Sequence, residues 1–354
     1  MPRVWEVPVH DSTRVRDARV AAEQAAAAAA LDEPRTAAAA LVATELATNL
    51  LKHAGGGRVL IEIVDPLVPA TGRNAARPVQ IAAIDHGPGI ADVAAALRDG
   101  FSTARSLGAG LGTCRRVADD FGVHSVLGRG TVALARVGSA AARGAAEPAG
   151  ARAGGINVPF GGAEYSGDAW AWVRSGDLMT LMLADGLGHG PEAARASAAA
   201  VEALHGSAHR SPAEMLRHLD TALGGTRGAA VALAQVDVGA GRLRFAGIGN
   251  VGARLCEGGS WRALVSRPGI VGVHRSATVR EEETAWAQDR LLILHSDGLP
   301  SRWVPPAGIC PGTGTEPDPA VTAAVTIRDA SSPARPVRDD TAVAVLSPTP
   351  PDRP

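Results

Sequence analysis

Cysteine is scarce in this 354-residue chain: Cys114, Cys256 and Cys310 are odd in number, widely spaced and without a CxxC pair. That pattern indicates neither a disulfide framework nor a zinc site, and it reads as reduced thiols. An excess of charge of either sign is also lacking. A net charge of −1 gives the chain no field with which to seek nucleic acid or an anionic membrane surface, so neither is expected as a partner. No cationic start followed by an apolar run marks a secretory signal. The alanine-rich stretch 21–30 is interrupted by Glu23 and Gln24 and is too weakly hydrophobic to span a bilayer. The expectation is a cytoplasmic protein.

No fixed-period repeat is present, but one stretch lacks large side chains altogether. Residues 138–153 are small or polar, with no aromatic and no large aliphatic residue, and cannot bury enough surface to order themselves. A chain of this length is expected to form two domains, so the sequence divides into a first domain over 1–137, a linker over 138–153 and a second domain over 154–347. The Pro-rich tail 348–354 should fray.

The first domain reads as mixed helix and sheet. Residues 4–9 alternate like a strand, Asp11, Ser12 and Thr13 offer helix caps, and 14–30 favour helix. A second helix is expected over about 33–54, ended by Gly55, Gly56 and Gly57. Strands follow at 58–64, 79–85 and 130–137, with a short helix near 92–98 and another over about 110–121. Glu45, Asn49 and His53 are spaced four apart and project to one side of the second helix. An Asn carbonyl oxygen can join a Mg²⁺ shell, and a neighbouring Glu can orient or deprotonate a hydroxyl. Asp85, at a strand end ahead of Gly87 and Gly89, could accept a hydrogen bond from an adenine amino group. The cluster Gly108, Gly110 and Gly112 could turn backbone N–H groups towards phosphates.

In this order these residues resemble the GHKL ATP-binding fold, and within it the anti-sigma-factor kinases of the SpoIIAB, RsbW and RsbT kind. Residues 44–54 look like the N box of that family, 85–90 its G1 box and 108–112 its G2 box, while 99–103 and 110–117 resemble the lid and following helix of the RsbT branch. The resemblance implies that Asn49 holds Mg²⁺ for ATP, that Glu45 is the base towards a Ser or Thr hydroxyl, that Asp85 binds adenine and that Thr131 lies near the base.

The second domain is strand-rich, with strands expected at 168–173, 178–184, 229–236, 243–248, 252–256, 277–282 and 291–295 and helices at 191–204 and 212–223. Acidic residues recur at strand edges far apart in sequence: Asp168, Asp185, Asp297, and the pair Asp339 and Asp340. Such a set suggests a shared cation cluster. Oxygen ligands select Mg²⁺ or Mn²⁺ over zinc, and two such cations could lower the pKa of a bridging water enough for attack on phosphorus. Trp170 and Trp172 should pack on one sheet face.

The motifs at 164–170, 184–190, 247–250, 295–299 and 338–341 resemble the PPM-type phosphatases of the SpoIIE and RsbX group. By that likeness Asp185 bridges two Mn²⁺ or Mg²⁺ ions, Gly186 offers its carbonyl, Asp168 serves one metal, and Asp297 with Asp339 serves the other; Asp340 could trade roles with Asp339. The two resemblances imply an α+β chain, a GHKL-type α/β sandwich followed by a PPM-type αββα sandwich. They also imply a bifunctional regulator whose kinase and phosphatase act on a STAS-domain anti-anti-sigma or stressosome protein. Two alternatives stay open: a phosphatase whose first domain is only an ATP-binding docking module, or one whose first domain sequesters a sigma factor or its regulator.

Overall fold

The computed structural model describes residues 3–65, 77–98, 110–139, 150–273, 279–311, 318–332 and 334–350. The chain divides into two compact units, Val4–Ala146 and, with the first three residues, Glu147–Pro354.

The first unit is a sheet with helices on one face. Strands β1 (Val4–Val9), β2 (Gly57–Ile63), β3 (Val79–Ile84), β4 (Asp120–Val126) and β5 (Gly130–Val137) pair antiparallel in the order β1-β2-β3-β5-β4. Helices α1 (Thr13–Ala28) and α2 (Glu33–Asn49) pack on each other and on this sheet through buried alanines, among them Ala18, Ala22, Ala25, Ala39, Ala43 and Ala47. Short side chains let the two helix backbones approach closely. The Asp32 side chain accepts from Arg35 N at 2.9 Å and caps α2. The buried Arg35 guanidinium then ties the helix start to the end of β5, with Nε donating to Gly138 O at 2.7 Å and Nη2 paired with Asp119. Gly138, read from composition as linker, is therefore held in this unit.

Two further elements, α3 (Val93–Ala96) and α4 (Leu111–Val117), lie between β3 and β4. The second helix runs as expected to Ala54, but its last turn, Leu50–Ala54, widens to π geometry before Gly55. The helix expected over 110–121 stops at Val117. Asp120, Phe121 and Gly122 instead open edge strand β4, where Phe121 and Val123 pack on the core and the backbone pairs with β5.

The second unit is two facing sheets with helices on the outside. The first sheet holds β7 (Asp168–Ser175), β8 (Leu178–Gly186), β9 (Ala229–Asp237), β10 (Arg242–Ile248) and β13 (Glu282–Ala285), in the order β13-β10-β9-β8-β7. The second holds β6 (Arg152–Val158), β11 (Gly252–Glu257), β12 (Ser260–Leu264), β14 (Arg290–His295) and β15 (Thr341–Ser347), in the order β12-β11-β14-β15-β6. Between them lies a core that includes Trp172, Leu181, Leu183, Phe245, Leu255, Leu292 and Leu294, with Trp170 packed at its edge. Helices α5 (Pro191–His205) and α6 (Pro212–Ala222) cover the outer face of the first sheet. Helix α7 (Pro319–Ala330) packs on β6 and β15. This α-β-β-α layering is the architecture expected, and the chain as a whole is α+β.

Several boundaries move. Strand β6 begins at Arg152, inside the stretch read as linker, because its backbone pairs with β15 from Arg152↔Ser347 to Val158↔Thr341, while Ala153 packs into the core between the sheets and Gly154 fits beneath α7. The strand expected over 277–282 appears as β13, displaced towards the C-terminus, with 274–278 outside the described residues. The three-thiol reading is corrected. Cys256 on β11 is bonded to Cys310, their Cα atoms 6.3 Å apart, and Cys114 alone is free and buried. Folding brings together two positions 54 residues apart whose sequence spacing carries no sign of the pairing.

Candidate active sites

The acidic residues of the second unit gather at one end of its sandwich. Asp168 opens β7 and Asp185 is the penultimate residue of β8, and the two are direct cross-strand partners. Asp297 follows the end of β14, Asp339 and Asp340 precede β15, and β14 and β15 are neighbours in the other sheet. Asp185, Asp297 and Asp339 line one cavity of about 600 Å³, with Gly188, Gly249 and Asn250.

The electrostatics are those of carboxylates crowded out of water. Asp168 is 1% exposed, and burial, then the charge of Asp185, pushes its carboxyl well above the usual range, against a hydrogen bond from Ser296. Its Oδ2 atom is buried with no hydrogen-bond partner among the described residues. Burial, then Asp297 and Asp339, pushes Asp185 up to about 7. Asp297 is raised by burial and opposed by the side chain of Asn250, whose Nδ2 donates to Asp297 Oδ2. A buried acceptor facing mutually repelling carboxylates fits hard divalent cations as the missing countercharge. Among the described residues no three His, Cys, Asp or Glu side chains close on one point.

Neighbouring Asp339 and Asp340 do different work. Asp340 is buried, with Oδ1 accepting from Phe160 N at 2.7 Å and Oδ2 from Gly167 N at 2.8 Å. Both its oxygens are committed to backbone. Asp339 is exposed on the cavity wall and caps Asp340 N at 2.9 Å. Gly186 donates to Gly167 O at 3.0 Å, and a Cβ there would lie 2.2 Å from Ala193 O, so only glycine lets α5 approach β8 this closely. His189 is exposed and does not line the cavity. Sequence reasoning missed Asn250 and Ser296 as partners of the carboxylates; each adjoins a residue already singled out, but only the fold shows the hydrogen bonds.

In the first unit Glu45 and Asn49 sit half-buried on α2. Burial raises the Glu45 carboxyl and the Lys52 charge opposes the shift. Glu45 also lies close to α4, since burial and then the Glu45 charge push the Cys114 thiol up to about 12. The Asn49 side-chain nitrogen is buried without a hydrogen-bond partner among the described residues, leaving its amide uncommitted. His53 is exposed.

Asp85 follows the end of β3 and is buried, its Oδ1 accepting from Gly87 N at 2.8 Å and Thr131 N at 3.1 Å. Thr131 therefore lies beside Asp85, and its hydroxyl is 2.9 Å from that of Ser125, which accepts from Ile90 N. These bonds knit the turn through Gly87 and Gly89 to β4 and β5. Gly110 precedes α4 and Gly112 is buried in its first turn. Gly108 and the expected lid at 99–103 lie outside the described residues.

Residues 9–136 match the family model of the histidine kinase-like ATPase domain, and residues 175–347 match that of stage II sporulation protein E, SpoIIE. The two matches lie in separate parts of the chain, one in each compact unit. The chain is 41% identical over 88 residues to the serine/threonine-protein kinase RsbT of Bacillus subtilis, a match covering 25% of this chain and 61% of that relative's length. Among solved structures, RsbX in complex with magnesium is 18% identical with a TM-score of 0.48, over 58% of this chain and 98% of that one. The phosphatase domain of SpoIIE from Bacillus subtilis is 17% identical with a TM-score of 0.39, over 58% of this chain and 95% of that one. No helix among the described residues is long and apolar enough to cross a membrane.

Proposed function

We propose that this chain is a bifunctional cytoplasmic regulator of a partner-switching pathway, a metal-dependent phosphoserine/phosphothreonine protein phosphatase fused to an ATP-dependent Ser/Thr kinase. The observation that carries the phosphatase half is the convergence of Asp168, Asp185, Asp297 and Asp339 on one end of the sandwich, three of them lining a single cavity. Asp168, Asp185, the Gly186 carbonyl, Asp297 and Asp339 would hold two Mg²⁺ or Mn²⁺ ions. Divalent cations there supply a water of lowered pKa and neutralise charge on the phosphoryl oxygens. The chain's part is to hold these ligands: Ser296 and Asn250 orient Asp168 and Asp297, while Asp340 fixes the backbone at Phe160 and Gly167 beside them.

The kinase half rests on Glu45 and Asn49 sharing one helix face near the Asp85 turn. Asn49 would join the Mg²⁺ of bound ATP, Asp85 would accept from the adenine amino group, and Glu45, its carboxyl raised by burial, would take the proton of the attacking hydroxyl. A STAS-domain protein is the proposed substrate of both reactions, supported by the likeness of the chain to RsbT. The Cys256–Cys310 pair is the one feature that a reducing compartment does not lead one to expect. Phosphate release from a phosphoserine STAS protein, measured with and without Mn²⁺, tests the reading; no Mn²⁺-dependent release would overturn the phosphatase half.

A further inference from the structure

One wall of the acidic cavity continues outward into a surface of different character. Leu187 lines the cavity yet is 48% exposed, and Val273 is 49% exposed. Three loops are fastened together here. Leu187 N donates to Gly228 O at 3.0 Å, and Ala229 and Val271 exchange two backbone hydrogen bonds of 3.0 and 2.9 Å. Gly228 has φ +79°, and a Cβ on it would lie 2.7 Å from Ile270 Cγ2 and 2.8 Å from Val273 Cγ2, so the loops meet with no side chain between them. The aliphatic groups therefore stand on a braced support, and large exposed aliphatics beside a cavity mouth are a mark of recognition more than of stability.

Arg227 stands at the same place. Its guanidinium lies over Gly188 on the cavity wall, where an added Cβ would be 3.1 Å from Nη1. It is exposed and engages no carboxylate among the described residues. A guanidinium left unpaired at the mouth of a site built from carboxylates is complementary to an anion arriving there, and its fork matches two phosphoryl oxygens.

We propose that Leu187, Val273 and Arg227 form the platform that receives the phosphorylated segment of the protein substrate. Arg227 takes the phosphate, and Leu187 with Val273 takes an aliphatic side chain next to the phosphorylated residue. The proposal rests on the phosphatase reading of the cavity and adds to it a substrate class: segments with an aliphatic neighbour to the phosphate, in preference to polar ones.

The test uses the full chain with Mn²⁺ and three probes. Two are phosphoserine peptides that differ only in having leucine or serine on either side of the phosphorylated residue, and the third is para-nitrophenyl phosphate. The wild type is expected to favour the leucine-flanked peptide about tenfold in kcat/KM, the scale of one aliphatic side chain leaving water. Leu187→Ser combined with Val273→Ser should shrink that preference to within about twofold. Arg227→Ala should raise KM about tenfold for all three probes and weaken inhibition by inorganic phosphate. Arg174→Ala, which removes the same charge at the far end of β7, should do neither. Equal use of both peptides by the wild type, a preference that survives the double substitution, or unchanged phosphate inhibition in Arg227→Ala would each overturn the proposal. Peptide binding is also read by fluorescence anisotropy on the Asp185→Asn chain. Absence of turnover in the wild type then counts against the phosphatase reading, while the anisotropy preference judges the platform by itself.

Discussion

Asp168 and Asp185 face each other across β7 and β8 as direct cross-strand partners, each raised by burial and by its acidic neighbours. Like charges set opposite each other in a sheet cost stability, and this pair is tolerated at the very end of its ladder, against the cavity. Asp185 is the member flanked by both Asp297 and Asp339. Asp185→Asn is therefore expected to abolish Mn²⁺- or Mg²⁺-dependent phosphate release and to weaken metal binding by more than tenfold in calorimetry, while ATP binding in the first unit is retained. Unchanged phosphate release in this variant would remove Asp185 from the site.

The same carboxylates give the metal-free protein a characteristic pH response. Asp185 is raised from 3.8 to about 7 in the folded state, and Asp168 is raised too, so the native state keeps protons that the unfolded chain has already released. Stability from these groups is full below about pH 4 and is lost as pH rises towards 7. In chelator, the melting temperature of the second unit should fall by about 5 °C between pH 5 and pH 7.5. Mn²⁺ should reverse this fall by replacing the protons. A melting temperature that rises over that interval without metal would contradict the burial of the pair.

Asp339 and Asp340 separate metal binding from architecture. Asp340→Ala leaves Phe160 N and the buried Gly167 N without their acceptor, and should destabilise the second unit by about 2–4 kcal/mol in denaturant unfolding. Asp339→Ala removes an exposed carboxylate and should shift the unfolding midpoint little, yet weaken metal binding about tenfold or more. The reverse pattern would exchange the two roles.

Much of this was legible in the sequence because glycine and aspartate mark strand ends strongly. The runs before Asp185 and Asp297 predicted β8 and β14, and the spacing of Glu45 and Asn49 placed them on one face of α2. What was not legible depends on pairing at a distance. Strand β6 was not foreseen, and its first residues, Arg152 and Ala153, read as linker, because Gly154 and Gly155 are buried against α7 and Trp170, and the strand pairs with β15, only in the fold. Helix α7 has β-branched residues throughout, at Val321, Thr322, Val325, Thr326 and Ile327, and is helical because it is buried on the sheet and its first turn is capped by Asp318. The separate tasks of Asp339 and Asp340 could not be read from two adjacent identical letters.

The nucleotide site makes its own prediction. Asp85 has Oδ1 occupied by Gly87 N and Thr131 N, which fixes the carboxylate in place. Asp85→Ala should cost ATP about 1–3 kcal/mol, roughly tenfold or more in affinity by calorimetry, and should narrow the preference for ATP over GTP. Because those two backbone N–H groups are also left without their acceptor, Asp85→Asn is the companion variant. It keeps an acceptor for Gly87 and Thr131 and should still lose adenine affinity. Equal affinity in all three proteins would move the pocket elsewhere.

Whether one molecule runs both reactions follows from the sites having no residue in common, one built on α2 and β3 and the other on β7, β8, β14 and β15. With ATP, Mg²⁺ and a STAS partner, the wild type should show little net phosphopartner, because the second unit removes what the first adds. Asp185→Asn should accumulate it. Adding Glu45→Ala to that background should abolish accumulation while ATP binding persists, since the half-buried carboxylate, raised by its burial, is the proposed proton acceptor and not a nucleotide anchor. Adding Asn49→Ala should abolish both, because Mg²⁺ placement is lost with the amide. If the Asp185→Asn protein binds ATP tightly and labels no STAS partner, the first unit is a docking module. The burial of Glu45 is then a consequence of α2 packing beside α4, and the regulation runs through the phosphatase alone.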